Sequence, residues 1–348
     1  METDRKSFNK WVNEKETIKA IKIDISNFKK IFYIFITLII LVNFVFLSFT
    51  FIGNIIASNH LYKNINITYL IKKITKSIKN EINSNDIKCI LVKNKLKNRT
   101  QPLDYEKELL FFIDLISCNI PFSFIRFADG ENFIMKGIEI KGIDNWYWNP
   151  KNKKFQDNLI ESSSICTNHN SFIAIPCKNW IEVSKSILSF SKCSSSKYMS
   201  YATLFVNKNY PYFRDWLLHF INTSNRWKII LVANSIIHKN INWAYKFFPI
   251  TEHLIENWEN YSISLLSKLS EQAKQNDLIF FVSAGPAANI IISYLTKINK
   301  NNIYIDVGSS IEFITKGYTT RNYAKNGETS NLRCESFFLK NKSLIYTR

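Results

Sequence analysis

Beyond Asp104 the chain is built from short, almost wholly apolar runs separated by helical patterns, and this constrains its fold more than any other feature. "FSFIRF" (122–127), "SFIAIP" (171–176), "YMSYATLF" (198–205), "WKIILVAN" (227–234), "DLIFFVSAG" (277–285) and "NIYIDVGSS" (302–310) read as strands. Between them, "DYEKELLFFIDLIS", residues 152–163, "YPYFRDWLLHFI", "ISLLSKLSEQAKQ" and residues 286–297 read as helices. Asp104 stands at the N-cap of the first helix, with acids in its first turn. Runs that are apolar on both faces belong to a sheet covered on both sides. The expected fold class is α/β: a Rossmann-like, doubly wound, mainly parallel sheet preceded by an N-terminal transmembrane helix.

The transmembrane expectation rests on "IFYIFITLIILVNFVFLSFTFI", Ile31 to Ile52, which carries no charge. Its length in helical form is about 33 Å, enough to cross a bilayer core. Lys15, Lys19, Lys22, Lys29 and Lys30 precede it, and Lys63 is the only lysine or arginine between the span and Lys72. That bias predicts a single-pass type II protein with its C-terminal domain in the lumen of the Golgi or endoplasmic reticulum. Sequons at Asn66, Asn98, Asn222, Asn260 and Asn341 fit a lumenal side, although an asparagine-rich chain also produces them by chance. The expected organisation is a cytosolic tail (1–30), an anchor (31–57), a lysine- and asparagine-rich stalk (58–100), the enzyme-like domain (101–316) and a C-terminal extension (317–348). This extension holds Arg321 and Arg333 and reads either as a lid over phosphates or as ordered surface.

The net charge of +18 does not mark a nucleic-acid binder. Only eight of the 46 basic residues are arginine, the lysines are scattered, and no basic stripe or RNA-binding aromatic motif accompanies them. Six cysteines show neither CxxC nor zinc spacing. They read as buried free thiols; a disulfide is the alternative in a lumenal domain, and the sequence does not pair them.

Ligands of parallel sheets sit beyond the carboxyl ends of the strands, and three strand ends carry suggestive residues. The first is Asp129-Gly130-Glu131, after the strand holding Arg126. Its two carboxylates converge on a hard cation, Mg²⁺ or Mn²⁺, if the backbone turns sharply at Gly130; an ordinary surface turn is the alternative. The second is "FFVSAGPAAN", which brings Ser283, Gly285 and Pro286 to the start of a helix, either as a phosphate seat or as a plain strand-to-helix turn. The third is "IYIDVGSSIEF", with Asp306, Gly308 and Glu312. Its acid suits a ribose hydroxyl or substrate orientation, and the segment is also similar to the acid-and-glycine loop of methyltransferases. In "NWYWNP", Trp146 and Trp148 either stack on an acceptor sugar or belong to the core.

Taken in order, these segments resemble the GT-D-type glycosyltransferases, a bacterial family long known only as a domain of unknown function. Its Arg-Phe-Gly-Asp-Gly-Glu stretch, with a metal-binding Asp-x-Glu pair, is matched by Arg126-Phe127-Ala128-Asp129-Gly130-Glu131. "SAGPAAN", "IDVG" and "YATLFVNKNYPYFRDW" are similar to later family segments, and the resemblance spans roughly 105–315. Ser309 stands where the family often has histidine. The resemblance implies metal-dependent transfer of a sugar from a nucleotide-diphosphate donor to a hydroxyl of a glycan, glycoprotein or glycolipid. Asp129 and Glu131 would hold the metal. Arg126, Ser283, Gly285, Pro286 and Gly308 would bind the donor, and Asp306 or Glu312 would serve as base. A non-catalytic membrane-anchored module binding carbohydrate or nucleotide is the rival expectation, and a methyltransferase the weaker one.

Overall fold

The computed structural model describes residues 84–319 and 321, apart from 144–145, 168–169, 177–180, 194, 224–226 and 236–240. No helix among the described residues is long and apolar enough to cross a membrane, and the expected anchor, 31–57, lies outside them. So does nearly all of the C-terminal extension.

The described residues form nine strands: β1 (Phe122–Arg126), β2 (Ile140–Ile143), β3 (Trp146–Trp148), β4 (Ser171–Ile175), β5 (Met199–Tyr201), β6 (Lys228–Asn234), β7 (Lys246–Ile250), β8 (Leu278–Ser283) and β9 (Ile303–Asp306). Seven make one sheet in the order β5-β4-β1-β9-β8-β6-β7, and every pairing in it is parallel. The first and last strands therefore lie side by side at its centre. The chain leaves β1 toward β4 and arrives at β9 from β8, on the opposite side. Connections diverging in this way open a crevice at the carboxyl ends.

The helices are α1 (Ser84–Lys97), α2 (Tyr105–Ser117), α3 (Asp129–Met135), α4 (Lys153–Ser162), α5 (Ile181–Phe190), α6 (Tyr210–Thr223), α7 (Trp258–Ala273), α8 (Ala287–Ile298) and α9 (Glu312–Thr315). Alternation along β1 shows how they cover the sheet. Phe122 and Phe124 pack on Phe112 of α2, with ring centroids 5.3 and 4.9 Å apart. Ser123, on the other face, meets Thr296 of α8 through a 2.5 Å hydroxyl pair. A strand sends successive side chains to opposite faces, so α2 and α8 sandwich the sheet and the winding is double. The strand interiors are buried on both faces, and polar residues (Arg126, Asn234, Ser283 and Asp306) stand at their carboxyl ends.

Several expectations need correction. The segment from Ser84 to Thr100 is not stalk: the compact unit begins at Ile82. Val92 and Leu96 of α1 are buried, and Cys89 is bonded to Cys118 at the end of α2. Arg99 is buried as well. Its guanidinium grips Glu108 of α2 at 2.9 and 2.6 Å and donates to the carbonyls of Lys197 and Met199, each at 2.8 Å. Glu108 accepts further from Leu103 N–H and Ser200 Oγ–H, so the buried pair is fully hydrogen-bonded. Asp104 occupies the N-cap of α2, but its side chain makes no capping bond. The free-thiol reading fails for four cysteines, because Cys166 is bonded to Cys193 in addition to the first pair. Cys177 and Cys334 lie outside the described residues. Strand β7 escaped the sequence because Pro249 interrupts it, a residue tolerated there only because β7 is an edge strand.

Removing the Cys89–Cys118 bond tests the attachment of α1. Closing a loop between cysteines 29 residues apart limits the unfolded chain's entropy, and the C89S/C118S double variant is expected to lose about 3–4 kcal/mol of unfolding free energy in urea titrations. A variant as stable as the parent would contradict the pairing.

Candidate active site

The crevice between β1 and β9 is organised by Arg126. At the last position of β1 its Nη2 donates to Asp306 Oδ1 at 3.0 Å, and its Nη1 reaches the carbonyl of Ala202 at 3.5 Å. Asp306 ends β9, is 3% exposed, and accepts a second bond at Oδ1 from the N–H of Gly308 at 3.0 Å. Burial raises the Asp306 carboxyl above the ordinary range, against the opposing pull of Arg126 and the Gly308 N–H. Gly308 is required on two counts. Its φ is +49°, and a Cβ there would stand 1.8 Å from Nη2 of Arg126.

Asn289, near the start of α8, was given no role in the sequence. It is fully buried, and its amide pairs with both backbone groups of Arg126, accepting from N–H at 3.3 Å and donating to C=O at 2.7 Å. A side chain thus continues the sheet's hydrogen bonding where β9 has ended. The only signal for it was an amide on a helix otherwise rich in buried apolar residues.

The Asp129-Gly130-Glu131 stretch differs from its expected form. It is not a sharp turn: it opens α3, and Gly130 does not have a positive φ. Positions i and i+2 of a helix do not face one another, so the imagined convergence at Gly130 is absent. Instead, Glu131 turns back to the helix start and accepts the Ala128 N–H at 2.8 Å. Burial pushes its carboxyl up to about 7; the Ala128 N–H and its own N–H oppose the shift, Asp306 adds to it and Arg126 reduces it. Glu131 therefore belongs electrostatically to the Arg126–Asp306 group. Asp129 is exposed, with no hydrogen bond or ion pair among the described residues.

Gly130 serves a different purpose. A Cβ on it would meet Cζ2 and Cη2 of Trp146 at 3.0 and 3.1 Å. The indole of Trp146, on the β2–β3 hairpin, thus lies directly against the acid-bearing turn. Its other edge lies against Gly285, where a Cβ would be 3.6 Å from Nε1. Gly285 is exposed, with φ +53°, and is followed by Pro286 at the N-cap of α8 and preceded by Ser283 at the end of β8. Trp146 is partly exposed, whereas Trp148, two residues on, is core.

The structure thus brings Arg126, Glu131, Asp306 and Gly308 together, and Trp146 links Gly130 to Gly285. Glu312 is buried on α9, and its Oε1 accepts from Lys316 at 3.1 Å. No group of three or more His, Cys, Asp or Glu side chains assembles into a cation cage among the described residues. The donors present are carboxylate oxygens, one of them on an exposed, unengaged acid. This set suits a hard divalent ion that keeps water and phosphate oxygens as its remaining ligands, and does not suit one held by protein alone.

Two measurements test this geometry. Gly137 also has a positive φ, +75°, but a Cβ there meets only Gln156 Nε2 at 3.5 Å. Gly137→Ala should therefore cost about 1–2 kcal/mol of backbone strain, and Gly308→Ala clearly more, about 3 kcal/mol or above, because it also displaces Arg126. Equal costs would contradict the packing of Arg126 over Gly308. Second, an acid whose folded pKa is raised stabilises the fold below its unfolded value and loses that contribution as pH rises through the folded one. Stability of the metal-free protein is expected to fall between pH 4.5 and about 7. Glu131→Gln, which can still accept from Ala128 N–H, should leave a shallower slope due to Asp306. An unchanged denaturation profile would contradict the burial of Glu131.

No family model matches the chain, and no curated protein matches it. Two solved structures are similar to it. One, titled as a selenomethionine-substituted structure of domain of unknown function 1792, is 17% identical with a TM-score of 0.40, covering 65% of this chain and 84% of that one. The other, titled as showing that this highly conserved domain has a distinct glycosyltransferase fold, is 16% identical with a TM-score of 0.41, covering 72% and 95%.

Proposed function

We propose that the protein is a membrane-anchored glycosyltransferase that moves a sugar from a nucleotide-diphosphate donor to an acceptor hydroxyl. The observation that carries this reading is the convergence of Arg126, Glu131, Asp306 and Gly308 at the carboxyl edge of a parallel sheet, in the segments that resemble the GT-D family. Such an edge, with a cation and exposed helix-start amides, is suited to a diphosphate.

Each residue then has a distinct task. Asp129, exposed and unengaged, would offer the first carboxylate to Mn²⁺ or Mg²⁺, and Glu131, which does not converge with it in the metal-free protein, would have to swing from the start of α3 to join it. When bound, that ion neutralises charge developing on the departing diphosphate. Arg126 supplies a fixed positive charge beside it. Asp306, buried and tied to Arg126 and the Gly308 N–H, orients the guanidinium and is poorly exposed to an acceptor hydroxyl. The turn at Ser283, Gly285 and Pro286 offers the start of α8 to phosphate oxygens. Glu312, paired with Lys316, is the other candidate for a base. For the methyltransferase alternative, Asp306 would have to offer its carboxylate to a ribose, and its burial speaks against that.

A lumenal setting is supported by the two disulfides, which persist in oxidising compartments. Asn98 and Asn260, both in sequons, are exposed, as a glycan would need. The anchor itself is the apolar span at 31–57.

The deciding experiment incubates the full-length chain with a panel of sugar nucleotides and measures release of free nucleoside diphosphate, with Mn²⁺ and with chelator. Release that requires the metal and falls at least a hundredfold in an Asp129→Ala, Glu131→Ala double variant is the expected result. Tight nucleotide binding without turnover would instead favour the non-catalytic module, and full activity of the double variant would remove the assigned metal role.

A further inference from the structure

The Trp146 indole touches both halves of the crevice. Its six-membered ring lies on Gly130, between the two acids, and its Nε1 edge lies on exposed Gly285 at the start of α8. The ring is only partly buried, and its N–H has no hydrogen-bond acceptor among the described residues. Trp148 on the same strand and Trp258 also lack an acceptor for their N–H groups, but both are fully buried core, whereas the Trp146 ring stays partly exposed. A tryptophan with one side on protein and a polar tip facing a crevice is the usual form of such a residue at a binding surface.

We infer that Trp146 is a donor-binding residue whose indole N–H donates a hydrogen bond to a diphosphate oxygen seated between the acid-bearing turn of α3 and Gly285. The inference deepens the nucleotide-diphosphate reading and rests on it. It also gives a reason for glycine at both positions: Gly130 admits the ring against the acids, and Gly285 leaves the N–H edge uncovered. The indole fixes the distance between the cation-holding turn and the phosphate-holding turn, so one diphosphate spans both. A charge-assisted bond of this kind contributes roughly tenfold or more to affinity.

The test uses the full-length chain in detergent micelles and inorganic pyrophosphate with Mg²⁺, the moiety shared by all nucleoside-diphosphate donors. With ¹⁵N-labelled indoles, the Trp146 resonance is identified by its loss in W146F, or in W146H should the first variant not fold. Pyrophosphate is expected to shift that resonance downfield, and W146F, which keeps a ring but lacks the donor, should bind at least about tenfold more weakly. If the parent protein binds pyrophosphate while the Trp146 resonance stays put, or W146F binds equally well, the role of Trp146 is wrong and the diphosphate reading stands. If the parent binds neither pyrophosphate nor any nucleoside diphosphate, both fall together.

Discussion

The centre of the molecule depends on one ion pair, Arg126 to Asp306, joining the first and last strands of the sheet where they emerge from the core. Its side chains are 19% and 5% exposed, so neither charge is easily solvated if the other is lost. Removing one partner from such a pair costs about 3–5 kcal/mol, because the survivor stays buried and unpaired. The surroundings are arranged to avoid that. Gly308 leaves room for the guanidinium and gives Asp306 its N–H, while Asn289 fixes the backbone from which Arg126 projects. A positive group is thereby held still at a strand end, and electrostatic recognition of a phosphate gains most from groups that need no reorganisation.

Beside that pair, desolvation keeps one further carboxyl, Glu131, close to the point of losing its charge, and raises the pKa of Asp306 as well. Asp306 raises the cost of ionising Glu131, and Arg126 relieves both acids. A bound cation would favour the ionised form of Glu131. A cation and a phosphate bound as proposed would thus be linked to the proton on Glu131, the kind of coupling expected where ligand exchange needs a group poised near neutrality. Asp129, exposed beside them, gives an incoming ion a carboxylate that has no other engagement.

Much of the sheet was legible because parallel strands buried on both faces must be apolar throughout; "FSFIR", "SFIAI" and "LIFFVS" had no other reading. Edge elements were not. β7 contains a proline, and the β2–β3 hairpin is only four and three residues long, with a register shift, so neither has a clear period. At the site, the strand ends themselves marked Arg126, Asp306 and Gly308. Asn289, the partner of Arg126, stayed hidden because it acts through the folded chain, and Trp146, read as a sugar-stacking or core residue, gave no sign that it lies between Gly130 and Gly285. Gly130 was noticed for the wrong reason: its freedom of φ is unused, and its missing side chain is what matters. The disulfides were equally invisible, because cysteines separated by 29 and 27 residues carry no local signature.

The central claim is that a cation and a diphosphate share the crevice between the start of α3 and the start of α8. The most direct measurement is anomalous scattering from crystals of the protein grown with Mn²⁺ and a nucleoside diphosphate. The account predicts a manganese peak beside the carboxylate of Asp129, with Glu131 swung from the start of α3 to reach it, and the diphosphate running from it toward Arg126 and Gly285. Manganese and nucleotide bound elsewhere, with this crevice filled only by water, would contradict it.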